Sequence, residues 1–305
     1  MWSPRRVRVS VPATSANLGP GFDSLGMALS LYDEVTAEVP ADAPAGLVEV
    51  HVEGEGAGTV PTDASHLVVR AMLACFGAMQ LPPPPLRLAC RNVVPHSRGL
   101  GSSAAAIVAG VVLARALVVD GVERLDDAGV LGLAADLEGH PDNVAPALLG
   151  GFTISGRDEA GRWYAVPSPL SPHLRAVAMV PPDPVSTEVA RGLLPATVPH
   201  AEAAANSGRT ALLVAALAQR VELLHEATRD WLHQQQREPA MPATLAQVRD
   251  LRARGVAATV SGAGPTVLAL GGEDLDDLVG PAPQGWARHV LRPDTAGARL
   301  QVLDD

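Results

Sequence analysis

Apolar and polar residues along the chain follow two kinds of pattern, and each predicts a kind of element. Short stretches in which apolar residues alternate or run together predict strands, and longer stretches with apolar residues three or four apart predict helices. Strands are predicted at 7–12, 31–39, 47–52, 86–90, 150–154, 176–180, 256–260, 267–270 and 286–291. Helices are predicted at 67–79, 107–119, 125–137, 211–224, 245–254 and 275–279, with an N-capped helix start at 186–191. Because the two kinds of element are interleaved, we expect a mixed α and β fold.

The expected number of domains follows from the length and from one polar interruption. A chain of 305 residues is long enough for two domains or one large one. Residues 155–161 are polar and turn-like, which predicts a boundary between domains at 1–157 and 158–305. The last strand is a candidate for a return to the N-terminal domain.

The composition excludes several classes of function. A formal net charge of −10 argues against nucleic acid as a partner, because that binding depends on a basic face that neutralises phosphates. All 23 basic side chains are arginine, which excludes a P-loop lysine, a lysine Schiff base and a lysine general base. Two cysteines argue against a disulfide framework or a cysteine metal site. With no apolar run that could span a bilayer and no signal-peptide pattern, we expect a cytoplasmic protein without a membrane partner.

A Gly/Ser-rich turn before the predicted helix at 107–119 is the strongest chemical signal from the residues alone. Its glycines allow the backbone to approach an anion, and the helix offers unpaired N–H groups and the positive end of its dipole. Such a turn predicts a phosphate cradle, although Gly/Ser loops also precede core helices without binding any ligand. The cradle consists of Pro95, His96, Ser97, Arg98, Gly99, Leu100, Gly101, Ser102, Ser103, Ala104 and Ala105.

Two pairs of polar residues are further candidates, each with a structural alternative. Asn17 and Asp23 flank a glycine-rich turn, and they could either face one pocket or hydrogen-bond their own turn. Glu138 and Asp142 lie close to a turn, in an arrangement suited to Mg²⁺ held through carboxylate and phosphate oxygens. Alternatively, Asp142 or Asn143 simply caps the next helix.

The residue pattern by itself favours structural interpretations of three other side chains. It predicts that Arg191 and Arg237 are solvated surface arginines and that His140 is a loop residue. A second glycine-rich turn, 261–266, joins two strands and lacks a helix dipole, so it is weak evidence for ligand contact.

Three separated motifs resemble those of the GHMP small-molecule kinase superfamily, which includes homoserine, mevalonate and galactose kinases. They are segment 11–26, the cradle at 95–106 and the turn at 261–266. Within the superfamily, segments 12–23 and 140–146 are similar to the patterns of the homoserine kinase family. The resemblance implies a two-domain α+β fold, with a left-handed βαβ unit in the N-terminal domain and a ferredoxin-like C-terminal domain. It also implies ATP and Mg²⁺ as cofactors, and phosphoryl transfer to the side-chain hydroxyl of L-homoserine in threonine biosynthesis.

The resemblance further implies a role for individual residues. ATP would bind at the cradle, and Ser103 (in preference to Ser102) and Glu138 would hold magnesium. The implied substrate-binding residues are Asn17, Asp23, Asp142, Asn143, Thr187, Arg191, Arg237 and Gly264. Because no lysine can pair with a catalytic aspartate, either Asp23 or Asp142 takes the hydroxyl proton, or the proton leaves with the phosphate. The oligomeric state stays open, with a homodimer as one candidate.

Three other functions are alternatives to this one, and the third is disfavoured. The first is another kinase of the same superfamily, which a panel of substrates would distinguish. The second is a non-catalytic ATP-binding regulator, against which Glu138, Asp142 and the serine pair of the cradle argue. A dinucleotide-binding oxidoreductase is disfavoured, because no acidic ribose partner follows the glycines at the expected spacing.

Overall fold

The computed structural model describes residues 2–3 and 6–303, in which strands and helices are interleaved as expected. The strands are β1 (Arg6–Ala16), β2 (Leu25–Glu38), β3 (Val48–Gly54), β4 (Leu86–Asn92), β5 (Phe152–Arg157), β6 (Trp163–Ser168), β7 (Arg175–Val180), β8 (Ala257–Val260), β9 (Val267–Gly271), β10 (Ala287–Leu291) and β11 (Arg299–Val302). The helices are α1 (Leu67–Ala78), α2 (Ser102–Ala116), α3 (Gly121–Arg124), α4 (Asp127–Glu138), α5 (Pro141–Leu149), α6 (Thr187–Gly192), α7 (His200–Gln219), α8 (Leu224–Ala227), α9 (Pro242–Ala253) and α10 (Leu275–Val279). Two 3-10 turns cover Val221–Leu223 and Gln235–Ala240.

The first sheet has the strand order β11-β1-β2-β4-β3, and the β5–β6 hairpin joins it through β2. Among the described strands of this sheet, only β3 and β4 pair in parallel, and α1 connects them as a βαβ unit. One apolar core lies between this sheet and helices α1, α2, α4 and α5, with Val9, Phe76, Leu88, Val108 and Val144 at its centre. The cradle connects β4 to α2, so the βαβ unit and the buried face of α2 together fix its position.

The second sheet has the strand order β10-β7-β9-β8 with every neighbouring pair antiparallel. This order is that of the ferredoxin-like βαββαβ arrangement. Side chains of β7 alternate between two cores: Ala176 and Ala178 face one, and Val177 and Met179 face the other. The first of these cores also contains Leu25 and Leu100 of the N-terminal part. The two sheets are therefore joined through apolar packing rather than through a linker alone.

Several element boundaries differ from the sequence prediction for identifiable reasons. β2 begins at Leu25, inside the segment expected to be a turn, because its small and apolar residues pair with the end of β1. α7 begins at His200 rather than 211, since its first turns are small and polar and carry no apolar stripe. The strands β6 and β11 are missed altogether: every residue of β11 is exposed, and the apolar run of β6 is only four residues long and ends at Pro167.

The segment predicted as a domain boundary contains the end of β5 and the turn of the hairpin to β6. The first sheet thus extends past residue 157 and regains a strand at β11, which pairs with β1. The strand at 286–291, predicted as the last, pairs with β7 in the second sheet. The division at residue 157 stays a prediction. Of the helices described, none is long and apolar enough to cross a membrane.

Candidate active site

The two glycine-rich turns of the sequence pack against each other. A Cβ on Gly99 would lie 2.2 Å from the carbonyl oxygen of Ser261, so only glycine allows this approach. The Ser261 hydroxyl lies 2.6 Å from the carbonyl oxygen of Gly99 and 2.8 Å from the Ser15 hydroxyl. The turn at 261–266 is therefore a wall of the cradle, which its position between two strands did not predict.

The cradle ends at the N-terminus of α2. Gly101, the N-cap, has φ +71° and offers no side chain, and the first turn of the helix contains no acidic residue. The first N–H groups of a helix have no partner inside it and carry the positive end of its dipole. An anion placed here would therefore be held by backbone donors. Ser97, at the other end of the loop, also takes a left-handed conformation, with φ +54°.

Ser103 and Glu138 form the pair that the resemblance implies for magnesium. The Ser103 hydroxyl donates to Glu138 Oε2 at 2.7 Å. Burial raises the pKa of Glu138, while the hydrogen bond from Ser103 opposes that rise. A carboxylate and a hydroxyl beside a phosphate cradle are the donors that Mg²⁺ takes together with phosphate oxygens. The Ser103 hydroxyl and the Glu138 carboxylate therefore fit that ion. Among the described residues, no cluster of three or more His, Cys, Asp or Glu could hold a metal without further ligands.

The N-terminus of α5 contributes a second polar group. Asp142 is buried, and its Oδ1 accepts a hydrogen bond of 2.6 Å from His140 Nδ1. Burial lowers the pKa of His140, but the hydrogen bond and negative charge of Asp142 outweigh it, so the net pKa is raised. Asn143 Oδ1 accepts from the Thr14 hydroxyl at 2.8 Å and so ties α5 to β1. His140 lies in the turn before α5, as predicted, and it also lines the site.

Asn17 and Asp23 form a hydrogen bond within their own turn and also contact residues outside it. Asn17 Nδ2 donates to the carbonyl oxygen of Gly262 at 2.9 Å, and its Oδ1 accepts from the backbone N–H of Asp23 at 2.9 Å. The Asp23 carboxylate accepts two hydrogen bonds from Arg191, of 3.0 and 2.6 Å. The hydrogen bond and charge of Asp23 raise the pKa of Arg191. Ser186 caps α6, which carries Arg191, by accepting from the Val189 N–H.

Arg237 is buried, so the prediction of a solvated arginine is wrong at this position. Only 1% of the residue is exposed. Its NH1 group donates to the carbonyl oxygen of Gly262 at 3.0 Å and to His233 Nδ1 at 2.8 Å. Its Nε is a buried donor without an acceptor, and within the described residues no carboxylate pairs with it. Burial and then the positive charge of Arg191 lower the pKa of Arg237 to about 10, so it is charged at neutral pH.

One cleft between the two sheets brings most of the predicted site residues together. Its lining includes the predicted residues Asn17, Ser97, Gly99, Gly101, Ser102, Ser103, Glu138, Asp142, Asn143, Thr187, Arg191, Arg237 and Gly264. Asp23 does not line the cleft itself, but it is ion-paired with Arg191, which does. We call this cleft the main cavity. Arg191 and Arg237 line it together with Ser102 and Ser103 of the first turn of α2.

Several cradle residues do not line the main cavity. The Arg98 guanidinium is turned away and donates to the carbonyl oxygens of His96, Pro181 and Pro182. It ties the cradle to the end of β7, so this structure gives it a bridging role. Pro95 and Ala104 do not line the main cavity either, and the Leu100 side chain is packed in the core.

A second cavity adjoins the first and shares Ser97, Ser102 and Ser103 with it. Its other walls come mainly from β2, the loop at 60–66, the start of α1 and the start of α2, with the polar groups Asp33, His66 and His96. His66 is buried, and its Nδ1 has no hydrogen-bond partner in the structure. This cavity could not be predicted from the sequence, because its lining residues are scattered from 33 to 106 and form no local motif.

Comparison with known proteins agrees with this geometry. The family model "GHMP kinases N terminal domain" matches residues 66–151, and "GHMP kinases C terminal" matches 212–280. Homoserine kinase from Streptomyces coelicolor is 53% identical over 97% of this chain and 95% of its own length. Homoserine kinase from Clavibacter michiganensis is 49% identical over 99% and 96% of the two chains.

Solved structures show the same relationship. The crystal structure of homoserine kinase from Cytophaga hutchinsonii superposes with a TM-score of 0.84 at 26% identity, covering 99% of both chains. Mevalonate diphosphate decarboxylase from Staphylococcus aureus superposes with a TM-score of 0.66 at 15% identity, covering 97% of this chain and 98% of its own, and shows the shared fold alone. The expected two-domain GHMP kinase fold is confirmed. The chain belongs to the homoserine kinase family of the GHMP kinases.

Proposed function

We propose that this protein is a homoserine kinase, which transfers the γ-phosphoryl group of ATP to the side-chain hydroxyl of L-homoserine. The product would be O-phospho-L-homoserine, an intermediate of threonine biosynthesis. Sequence identity near 50% with curated homoserine kinases over almost the whole chain supports the assignment. The structural observation that carries it is the buried Arg237, which has no carboxylate partner among the described residues and lines the main cavity next to Arg191.

The amino-acid end of the substrate accounts for the charges at one end of the main cavity. Leaving a buried cation unpaired is costly, so Arg237 favours an anionic ligand. Guanidinium groups bind carboxylates through paired, charge-assisted hydrogen bonds. We infer that the substrate carboxylate binds to Arg237 and Arg191, and that its ammonium group binds to Asp23. The zwitterion would thus separate the Arg191–Asp23 ion pair and give each partner a new counter-charge.

ATP would occupy the other end of the main cavity, next to the cradle. The first turn of α2 and the glycines of the cradle would bind the phosphate groups, as helix N-termini do generally. The adjoining second cavity would hold the nucleoside, because it opens beside the same serines. Arg98 is committed to three backbone carbonyls, so we assign it to the shape of the cradle rather than to the phosphates.

Magnesium has a fitting place beside the phosphates. Ser103 and Glu138 would hold the ion, whose charge would neutralise the phosphate oxygens. Phosphoryl transfer depends on positioning and charge stabilisation more than on covalent steps supplied by the protein. The chain's own contribution is therefore to orient the hydroxyl toward the phosphate and to exclude water between the two sheets.

The fate of the hydroxyl proton follows from the partners of the two candidate carboxylates. Both oxygens of Asp23 accept hydrogen bonds from Arg191, which leaves Asp23 suited to charge pairing. Asp142 lines the cavity and already accepts from His140. We propose that both carboxylates position the substrate and that the proton leaves with the transferred phosphoryl group.

A coupled assay of ADP formation tests the function. The purified protein would be given ATP and Mg²⁺ with L-homoserine, L-serine, L-threonine, mevalonate or no acceptor. We expect ADP release above the acceptor-free rate with L-homoserine as the best substrate. Turnover of mevalonate without turnover of homoserine would assign another kinase of the superfamily. ATP binding without turnover of any acceptor would indicate a non-catalytic regulator.

A further inference from the structure

His233 is a fully buried side chain that links Arg237 to the turn carrying Asn17 and Asp23. Its exposed fraction is 0%. Nδ1 lies 2.8 Å from Arg237 NH1, and Nε2 lies 2.8 Å from the carbonyl oxygen of Gly19. Its ring also packs against Phe22, with the ring centroids 5.2 Å apart. The Phe22 ring in turn lies 5.6 Å from the Arg237 guanidinium carbon. His233 therefore touches both the arginine and the turn that faces it.

These two contacts determine the protonation state of His233. Arginine has donors and no acceptor, so His233 Nδ1 must be the acceptor of the bond with NH1. The Gly19 carbonyl is an acceptor, so Nε2 must carry the ring proton and donate it. Both contacts are satisfied only by the neutral ring protonated at Nε2. A second proton on Nδ1 would point at an N–H group of Arg237.

We propose that neutral His233 is a positioning residue, which holds the Arg237 guanidinium in the orientation that receives the substrate carboxylate. The inference rests on the proposed function, because it takes a carboxylate as the ligand of Arg237. NH1 is fixed from two sides, by His233 Nδ1 and by the carbonyl oxygen of Gly262. With NH1 held, the planar guanidinium cannot swing out of the cavity, and its remaining donors stay available to a ligand.

Burial and the positive charge of Arg237 favour the neutral form of His233, against the negative charges of Asp230 and Asp23. Asp230 Oδ2 lies 3.8 Å from Nε2, Arg237 is in direct contact, and Asp23 and Arg191 face the same pocket. Burial lowers the pKa of His233, while the negative charge of Asp230 opposes that effect. Asp230 also accepts backbone hydrogen bonds from Leu232, His233 and Gln234, so it holds the segment as well. The ring is thus kept as an acceptor toward Arg237 at neutral pH.

Two substitutions separate the two contacts of His233. The amide of glutamine reaches the position of Nε2, so His233→Gln keeps the bond to Gly19 and loses the acceptor for Arg237. The amide of asparagine reaches the position of Nδ1, so His233→Asn keeps that acceptor. The control is His225→Gln, which alters a histidine bonded to the carbonyl oxygen of Arg252, away from the cavity.

We expect His233→Gln to raise KM for homoserine about tenfold or more while kcat changes less than about threefold and KM for ATP is unchanged. His233→Asn should recover most of that loss, and His225→Gln should behave as wild type. An unchanged homoserine KM in a folded His233→Gln protein would overturn the inference. So would a parallel rise of both KM values. Absence of homoserine turnover in the wild type would instead overturn the proposed function.

A second measurement does not depend on activity. Nitrogen NMR of the histidine rings of the wild-type chain at pH 7.5 distinguishes a bare ring nitrogen from a protonated one. The signal of His233 is identified by its loss in the spectrum of His233→Asn, or by its contacts with Phe22. A bare Nδ1 with a protonated Nε2 would support the inference, and a protonated Nδ1 would overturn it.

Discussion

Arg237 shows how far a single residue can depart from what its neighbours in the sequence suggest. It lies in a polar run, Gln234 to Pro239, which predicts a solvated side chain. In the structure the run forms a 3-10 turn that buries the arginine against Phe22 and the turn at 261–264. This burial depends on Phe22, which lies more than 200 positions earlier in the chain, so no local sequence pattern predicts it. Only the family resemblance selected Arg237 from the sequence.

Removing the guanidinium of Arg237 or Arg191 should weaken homoserine binding more than it slows the chemical step. We expect Arg237→Ala or Arg191→Ala to raise KM for homoserine by about one to two orders of magnitude, because each loses a charge-assisted bond to the carboxylate. KM for ATP should stay close to wild type. Steady-state kinetics with homoserine as the varied substrate measures the effect. The control is Arg249→Ala, since Arg249 forms an exposed ion pair with Glu238 outside the cavity. An Arg237→Ala protein with wild-type KM would contradict the carboxylate site.

The magnesium assignment is tested at Glu138. We expect Glu138→Gln to raise the Mg²⁺ concentration for half-maximal activity about tenfold or more, because an amide is a weaker ligand for a hard cation. Ser103→Ala should act in the same direction with a smaller effect. Glu123→Gln, on the exposed helix α3, is the matched control. Equal magnesium requirements in Glu138→Gln and wild type would remove Glu138 from the metal site.

At the scale of elements, the sequence predicts best where a continuous apolar stripe or a buried run is present. Helices α1 and α4 and strands β4, β7 and β9 lie within three residues of their predicted bounds. Strand β11 escapes prediction because it is fully exposed, and β6 because its apolar run is only four residues long and ends at a proline. The same limit applies to the 261–266 turn, whose role depends on contact with the cradle rather than on its own residues.

The contact between the two glycine-rich turns predicts the effect of adding one methyl group. A Cβ on Gly99 would lie 2.2 Å from the Ser261 carbonyl oxygen, and Gly99 has φ +77°. We expect Gly99→Ala to lower the melting temperature by several degrees and to weaken ATP binding, because the cradle must shift. Calorimetry and nucleotide titration measure the two effects.

The matched control for this substitution lies in α7. Gly208 is an exposed helix residue, and a Cβ there would meet nothing within 4 Å. We expect Gly208→Ala to raise the free energy of unfolding by about 0.5–1 kcal/mol, through better helix propensity. If both alanine variants have the same melting temperature and ATP affinity, the close packing at Gly99 does not stabilise the cradle.

At the scale of the molecule, the order of strands in the sheets is the part least accessible to the sequence. The residues predict most strands and helices, but the return of β11 to β1 and the antiparallel order of the second sheet depend on long-range pairing. The left-handed βαβ unit and the ferredoxin-like domain came from the family resemblance alone. The core that contains Leu25, Leu100 and Ala176 then places the cavity between the two halves.

Buried neutral histidines give the whole molecule a pH-dependent stability. Burial lowers the pKa of His66 and of His233 in the folded state. The unfolded chain therefore binds more protons below the ordinary histidine pKa of about 6.5, and stability falls as the pH falls through that value. We expect the free energy of unfolding of His66→Asn to fall less than that of the wild type between about pH 7.5 and pH 5. Parallel curves from urea unfolding would show that His66 does not contribute.

The most direct measurement is identification of the reaction product. Wild-type protein and Arg237→Ala would each be incubated with ATP, Mg²⁺ and a subsaturating concentration of L-homoserine, and the product followed by phosphorus NMR and mass spectrometry. We expect wild type to form ADP and O-phospho-L-homoserine in equal amounts, and Arg237→Ala to form both far more slowly. ADP release without O-phospho-L-homoserine, or equal product from both proteins, would contradict a homoserine kinase whose substrate carboxylate binds at Arg237.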